Sequence, residues 1–211
     1  MSTAIVIASG SPPVGSELPS LSGDELIVAV DGGLSATRAL GLVPTIVLGD
    51  LDSAQPEDLE WAESIGVEVA RFPTDKDSTD LALALRWADE RAVDHIVVLG
   101  AGGRRIDHQF GNWAVVADPD LNASVEVRDA GGTTYVVHSQ LTVSGSIGDT
   151  ISVIAWGGPA SGVRTSGLRW ELDDAVLSPT SSLGVSNELV AAMASISVAK
   201  GILFVVVPKG D

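Results

Sequence analysis

There is no cysteine anywhere in the 211 residues, so disulfides and thiolate metal sites are excluded, and any metal must be held by oxygen or imidazole. Basic residues are scarce as well: 12 lysines and arginines stand against 28 aspartates and glutamates, for a formal charge of −16. Binding nucleic acid without regard to sequence needs a basic footprint, which excludes that class of partner. A cationic or metal-carrying ligand suits the acidic balance. Long apolar runs are also missing. No stretch reaches the roughly 18 apolar residues of a membrane-spanning helix, and the opening segment lacks the basic start and apolar run of a signal peptide. The expectation is a cytoplasmic protein without a membrane partner. Neither a repeat nor a low-complexity tract is present.

What remains is an ordinary globular composition, 45% hydrophobic and 19% charged, long enough for one sizeable core or two modest ones. Short β-branched runs come first: "AIVIAS" (4–9), "ELIVAV" (25–30), "TIVLG" (45–49), "VEVARF" (67–72) and "HIVVLG" (95–100). Helical patterns separate them. In "STDLALALRWADERAV", Leu81, Ala84, Leu85 and Ala88 fall on one helical face, with Asp77 or Ser78 as the expected N-cap. Strand and helix in alternation predict a parallel sheet with helices packed on it. After "ADPDLNAS" (117–124) the character changes to strand-like runs separated by Gly, Ser, Pro and Asp turns, beginning with "SVEVRDA". From Ala175 to Val207 the only charged residues are Glu188 and Lys200, which predicts burial or packing against a partner. The expected layout is an α/β parallel-sheet domain over residues 1–121 and an all-β, sandwich-like domain over residues 122–211.

Charged residues gather at the ends of the predicted strands. Asp31 follows the second, Asp50 and Asp52 the third, "PTDKDSTD" the fourth and "GAGGRRIDH" the fifth. In an open parallel sheet, ligands bind in the crevice outside those carboxyl ends. Any one acidic turn is ordinary turn chemistry; four on one edge make a pattern. Asp31, Asp50, Asp52, Asp75, Asp77, Asp80 and Asp107 would repel one another there unless a cation held them. Their hard oxygens suit Mg²⁺, which completes its shell with water and substrate phosphates. Arg105 can clamp a phosphate through its planar fork and Lys76 can act as a point charge. Adjacent side chains rarely converge on one ligand, so Arg104 is read as a salt-bridge partner. "GAGGRR" fails the dinucleotide fingerprint and no P-loop exists, yet its glycines let the backbone approach an anion at the start of a helix. In the β half, Trp170 lies in a glycine-bounded strand and Ser186 and Asn187 in a turn. Such a tryptophan is usually core, although an aromatic face also binds a flat cationic ring.

Together, "DGG" (31–33), "GDLDS" (49–53), "PTDKDSTD" (73–80), "GGRRIDH" (102–108), "SGLRWEL" and "GVSNE" resemble the thiamine pyrophosphokinase family. The resemblance implies an α/β catalytic domain followed by a β-sandwich, assembled as a homodimer with the sites at the subunit interface. It implies transfer of a pyrophosphoryl group from ATP to the hydroxyethyl group of thiamine, giving thiamine diphosphate and AMP. Asp50, Asp52 and Asp80 match acidic positions around Mg²⁺ and ATP, and Arg105 with Asp107 match phosphate and metal contacts; these five form the implied catalytic set. Further ATP and phosphate contacts are implied at Asp31, Ser53, Lys76, Asp77, Thr79, Gly102, Gly103 and His108, with no residue assigned as a base. Trp170 matches the aromatic that covers the thiamine ring, and Ser186 and Asn187 the polar pair near it. Three alternatives stay open: a diphosphokinase acting on a hydroxymethylpterin, a haloacid-dehalogenase-type phosphatase, and a non-catalytic binder of thiamine or nucleotide.

Overall fold

Runs rich in valine, isoleucine and leucine form five parallel strands in the computed structural model, which describes residues 1–103 and 105–209. They are β1 (Thr3–Ile7), β2 (Leu26–Val30), β3 (Ile46–Gly49), β4 (Glu68–Arg71) and β5 (His95–Leu99). Arg104, one of the residues weighed above, lies outside the described residues. In β1 the consecutive residues Ala4, Ile5, Val6 and Ile7 are all buried, as in a parallel strand covered on both faces. Strand β4 has no buried residue, and it stands at the edge of the order β4-β3-β2-β1-β5, where charges such as Glu68 and Arg71 guard against further pairing.

Three helices connect these strands from β2 onward, α1 (Gly33–Ala39), α2 (Pro56–Ser64) and α3 (Asp80–Asp89), and a fourth, α4 (Ile106–Val116), follows β5. Proline at the first position of α2 has its φ set for a helix and lacks an N–H that would go unpaired there. Helix α3 buries Leu81, Ala84, Leu85 and Ala88, the predicted face, but begins later than expected. Its N-cap is Thr79, whose hydroxyl accepts a hydrogen bond from Ala82 N at 3.2 Å. All of "DST" can cap, and the extended backbone at Thr79 decides the position. On one side of the sheet Ile5, Ile7, Ile27, Val97 and Leu99 pack with Ala36 of α1 and with Leu40, its C-cap. Ala29, Leu34, Val47, Leu51 and Ala62 form a second cluster with Trp61 of α2.

The division of the chain falls after Ala130, later than the sequence placed it. Residues 124–129, expected to open the β domain, form β6 (Ser124–Asp129), which pairs parallel to β5 in the register His95↔Ser124 through Leu99↔Arg128. A strand covered on both faces extends the α/β sheet, and Val125, Glu126 and Val127 are all buried in succession.

The second unit, described by itself, contains β7 (Gly132–Val137), β8 (Gln140–Ser144), β9 (Thr150–Ser166), β10 (Ala175–Leu177), β11 (Asn187–Glu188), β12 (Met193–Ser197) and β13 (Lys200–Pro208). Its pairings are antiparallel, in the order β7-β13-β9-β12-β8, with β10 and β11 also on β9. Val143, Ile151, Val163, Leu168, Leu177, Leu189, Ile196 and Leu203 are among its buried core.

Candidate active site

The first unit has one place where its strand order reverses. From β1 the chain steps outward through β2 and β3 to β4, then returns to put β5 on the other side of β1. Loops leaving β1 and β5 diverge there and open a crevice at the carboxyl edge. A cleft of about 1050 Å³ occupies this edge. Its lining includes Asp31, Asp50, Asp52, Ser53, Lys76, Thr79, Asp80, Gly102, Gly103, Arg105, Asp107 and His108, all of them residues singled out from sequence. Asp77 is exposed and lines a separate small hollow of about 220 Å³ beside α3 and α4.

The three-residue sequence Asp50-Leu51-Asp52 has a local explanation. Leu51 is 6% exposed and packs against Ala29, Leu34, Val47 and Ala62. Seating that side chain in the core turns the flanking carboxylates outward. Leu51 has φ 63° and Asp31 has φ 49°, left-handed conformations that cost a residue such as leucine roughly 1–2 kcal/mol. Full burial of a leucine is worth about 1.5–3 kcal/mol, enough to offset that strain. Gly49, at φ 147°, supplies the remaining freedom: a Cβ there would lie 3.1 Å from the Asp31 Cβ.

Asp31, Asp50 and Asp52 converge, with one carboxylate oxygen from each lying within 4.8 Å of the others. Hydrogen bonds fix them: Ser53 N donates to Asp31 Oδ1 at 3.2 Å, Asp52 N to Asp50 Oδ1 at 3.2 Å, and Ser53 Oγ to Asp52 Oδ1 at 3.0 Å. Burial raises the Asp31 carboxyl above its ordinary value, against the pull of backbone donors from Gly32 and Ser53. Three hard oxygens at this spacing, one on a buried acid, fit a small divalent cation, whose charge would favour the ionised form. The sequence put Asp80 beside Asp50 and Asp52, whereas the structure gathers Asp31 with them. Asp80 Oδ1 lies 3.1 Å from Lys76 Nζ and is buried without a hydrogen bond of good geometry.

Arg105 and Asp107 hold each other in a fork, with Nη2 to Oδ2 at 2.6 Å and Nε to Oδ1 at 3.2 Å. The guanidinium holds the Asp107 carboxyl down to about 2. Both side chains are exposed, so a phosphate can reach the arginine.

Sequence reasoning missed the loop after β1. Ser9, Gly10 and Ser11 line the cleft, and Gly10 N and Ser11 N donate to Gly100 O at 3.0 Å and Gly102 O at 2.6 Å. A Cβ at Gly10 would sit 1.8 Å from Gly102 O, so only glycine lets the two loops meet. The signal was "SGS" directly after a buried strand, the counterpart of "GAGG". Asn112 was missed too; its Nδ2 donates to Ala101 O at 2.7 Å and steadies the glycine turn.

In the second unit Trp170 is not core. It is 57% exposed, and the Arg169 guanidinium lies 5.1 Å from its ring centroid. Asn187 is buried and bonded to the Trp170 backbone, while Ser186 is exposed at φ 58°.

These features define a class: an α/β protein with an acidic, glycine-lined crevice at the carboxyl edge of a parallel sheet, joined to a β unit that presents an exposed aromatic ring. The thiamin pyrophosphokinase catalytic-domain model matches residues 19–127, and the thiamin pyrophosphokinase vitamin B1 binding-domain model matches residues 135–203. The chain belongs to the thiamin pyrophosphokinase family. It is 28% identical over 217 residues to the thiamine pyrophosphokinase of Bacillus subtilis (strain 168), covering 98% of each chain. The crystal structure of the Bacillus subtilis thiamine pyrophosphokinase aligns with a TM-score of 0.83 at 25% identity over 100% of both chains. That of the Geobacillus thermodenitrificans enzyme aligns at 0.79 and 28% identity, over 100% of this chain and 99% of the other.

Proposed function

We propose that this chain is a thiamine diphosphokinase that transfers a pyrophosphoryl group from ATP to thiamine. The observation that carries the reading is the order in which two family models, one catalytic and one for vitamin B1 binding, divide the chain. In the reaction the thiamine hydroxyl oxygen forms a bond to the β-phosphorus of ATP, the bond from that phosphorus to the α,β-bridging oxygen breaks, and AMP departs. The hydroxyl proton is lost to solvent or to a cleft side chain. Such chemistry rests on positioning and charge neutralisation more than on a protein nucleophile.

Asp50 and Asp52, together with Asp31, are the residues proposed to hold Mg²⁺, which when bound supplies neutralisation of the polyphosphate. Asp80 completes the acidic wall from the start of α3, where its partner Lys76, also bonded to Pro73 O at 2.9 Å, brings a positive charge to the cleft. Arg105, steered by Asp107, meets the transferred or leaving phosphate. Glycines 102 and 103, with Ser53, Thr79, Asp77 and His108, complete the nucleotide contacts. Trp170 offers its ring face to the cationic thiazolium, with Ser186 beside it and Asn187 bonded to the Trp170 backbone. The sandwich-like β unit serves as the platform for that ring.

A homodimer with sites at the subunit interface, working in the cytoplasm, completes the proposal. Exposed apolar side chains support the association: Ile106 and Phe110, one turn apart on α4, are 67% and 65% exposed. No helix among the described residues is long and apolar enough to cross a membrane. One incubation with ATP, Mg²⁺ and thiamine, read by mass, tests the reaction: AMP and thiamine diphosphate are expected in equal amounts. Free phosphate without AMP would point to a phosphatase, and turnover of a hydroxymethylpterin in place of thiamine to the other diphosphokinase reading.

A further inference from the structure

Asn187 stands where a short antiparallel ladder changes from backbone to side chain. The ladder pairs residues 167–170 with residues 187–190. Val190 N donates to Gly167 O at 3.0 Å, Leu168 bridges Leu189, and Arg169 N donates to Glu188 O at 2.9 Å. At the next step Asn187, whose own backbone pairs with Ile151 on β9, meets Trp170 differently. Its side-chain amide takes over. Oδ1 accepts from Trp170 N at 3.1 Å and Nδ2 donates to Trp170 O at 2.8 Å, so one primary amide mimics a peptide group and closes both backbone positions of the tryptophan.

The surroundings make this a mount for the ring. Asn187 is 6% exposed while Trp170 is 57% exposed, so a buried amide holds the backbone of an exposed aromatic. Glu188 N also donates to Asn187 Oδ1, at 2.9 Å, which fixes the amide from behind. Across the same ladder Arg169 Nη1 pairs with Glu188 Oε2 at 3.0 Å, with its guanidinium near the Trp170 ring. Few residues satisfy the geometry: aspartate has two acceptors and no donor, and alanine has neither.

We infer that Asn187 is a positioning residue, which acts on thiamine only by holding Trp170 and makes no contact with the ligand. The inference rests on the reading of Trp170 as the thiamine platform. It differs from the expectation that Asn187 is a polar contact beside the ring, since the structure engages both its amide atoms behind it.

A double-mutant cycle separates these roles, with KM for thiamine and for ATP measured on the full chain. Asn187→Ala is expected to raise KM for thiamine by about tenfold, the scale of a lost buried hydrogen-bonding group, with KM for ATP unchanged. In a Trp170→Ala background the same change should have no further effect on KM for thiamine. Additive effects would overturn the positioning role and restore direct contact. If Trp170→Ala alone leaves KM for thiamine unaltered, the platform reading fails together with the inference.

Asn187→Asp guards against misfolding of the alanine variant, because it keeps the acceptor for Trp170 N. At neutral pH its second oxygen faces Trp170 O as a like partner, so thiamine binding should be weak. Acidification protonates the introduced carboxyl, which can then donate to Trp170 O. Thiamine affinity relative to the unaltered protein at the same pH should therefore recover as pH falls. A pH-independent ratio would count against the clamp.

Discussion

The α/β unit and the β unit expose functional side chains by different means. In the first, charged groups stand on loops at the end of a rigid parallel sheet, and the core itself aims them: Leu51 is buried so that Asp50 and Asp52 face out. In the second, an apolar ring stands in solvent between short strands, and a buried side-chain amide holds its backbone. A strained turn anchored by hydrophobic burial suits a cluster of like charges, whose repulsion has to be resisted before any cation arrives. A hydrogen-bonded mount suits a flat platform, which needs orientation and no electrostatic restraint. The polyphosphate chemistry and the ring recognition proposed above fall on opposite sides of this contrast.

Variants that touch only one side put the contrast at risk. The largest effect is expected from Asp50→Asn and Asp52→Asn, each lowering kcat for AMP formation by at least about a hundredfold, the scale of a lost electrostatic contact to the reacting phosphate. Thiamine affinity, measured by calorimetry without ATP, should hardly move. A comparable loss of thiamine binding would erase the division between the units. Next comes Trp170→Ala, expected to weaken thiamine binding by about 1–2 kcal/mol as a desolvated cation–π contact is removed. Because the ring is exposed, the melting temperature should stay the same; a sharp drop would make it a structural residue after all.

The smallest effect concerns stability alone and should appear in the α/β unit only. Glu126 on β6 is buried, with Arg128 Nη2 at 2.6 Å and His95 Nε2 at 3.7 Å. Burial pushes its carboxyl up, but the nearby His95 imidazole and the hydrogen-bonded charge of Arg128 outweigh this, so its pKa falls below the ordinary value of 4.5. A depressed folded-state value means that the contribution is complete above the unfolded value near 4.5. It disappears as pH falls through the lower folded value. Glu126→Gln should flatten the acid limb of stability against pH, followed by denaturant melts between pH 3 and 6, a window of roughly that titration. An unchanged acid limb would remove the buried pair from the account.

Much of the first unit was legible because local pattern and tertiary role agree there. β1, β2, β3 and β5 are β-branched runs bounded by charged or glycine turns, and α3 carries its buried face at helical spacing. Strand β6 was misassigned because "SVEVRDAGGTTYVV" reads equally well as a hairpin; only its parallel register with β5 reveals its sheet. In the crevice, the acids at strand ends were legible, but the grouping of Asp31 with Asp50 and Asp52 depends on the reach of side chains across two loops. The loop at Ser9 to Ser11 carries no charge to mark it, and its bonds to Gly100 and Gly102 join residues far apart in sequence. Trp170 was ambiguous for a physical reason: the preference of tryptophan for β structure reflects packing on a half-buried surface and so depends on context, and here that context is set by neighbours distant along the chain, such as Asn187.

Strand β13 runs between β7 and β9, which has a consequence for biosynthesis. During translation β7 and β9 emerge well before residues 200–208, and until then each lacks its central partner. Both remain open edges of apolar alternation, the kind of surface that pairs with other chains. Folding of the β unit is therefore governed by non-local pairings late in synthesis. A ribosome that stalls before Lys200 leaves a finished α/β unit tethered to a β unit that cannot close.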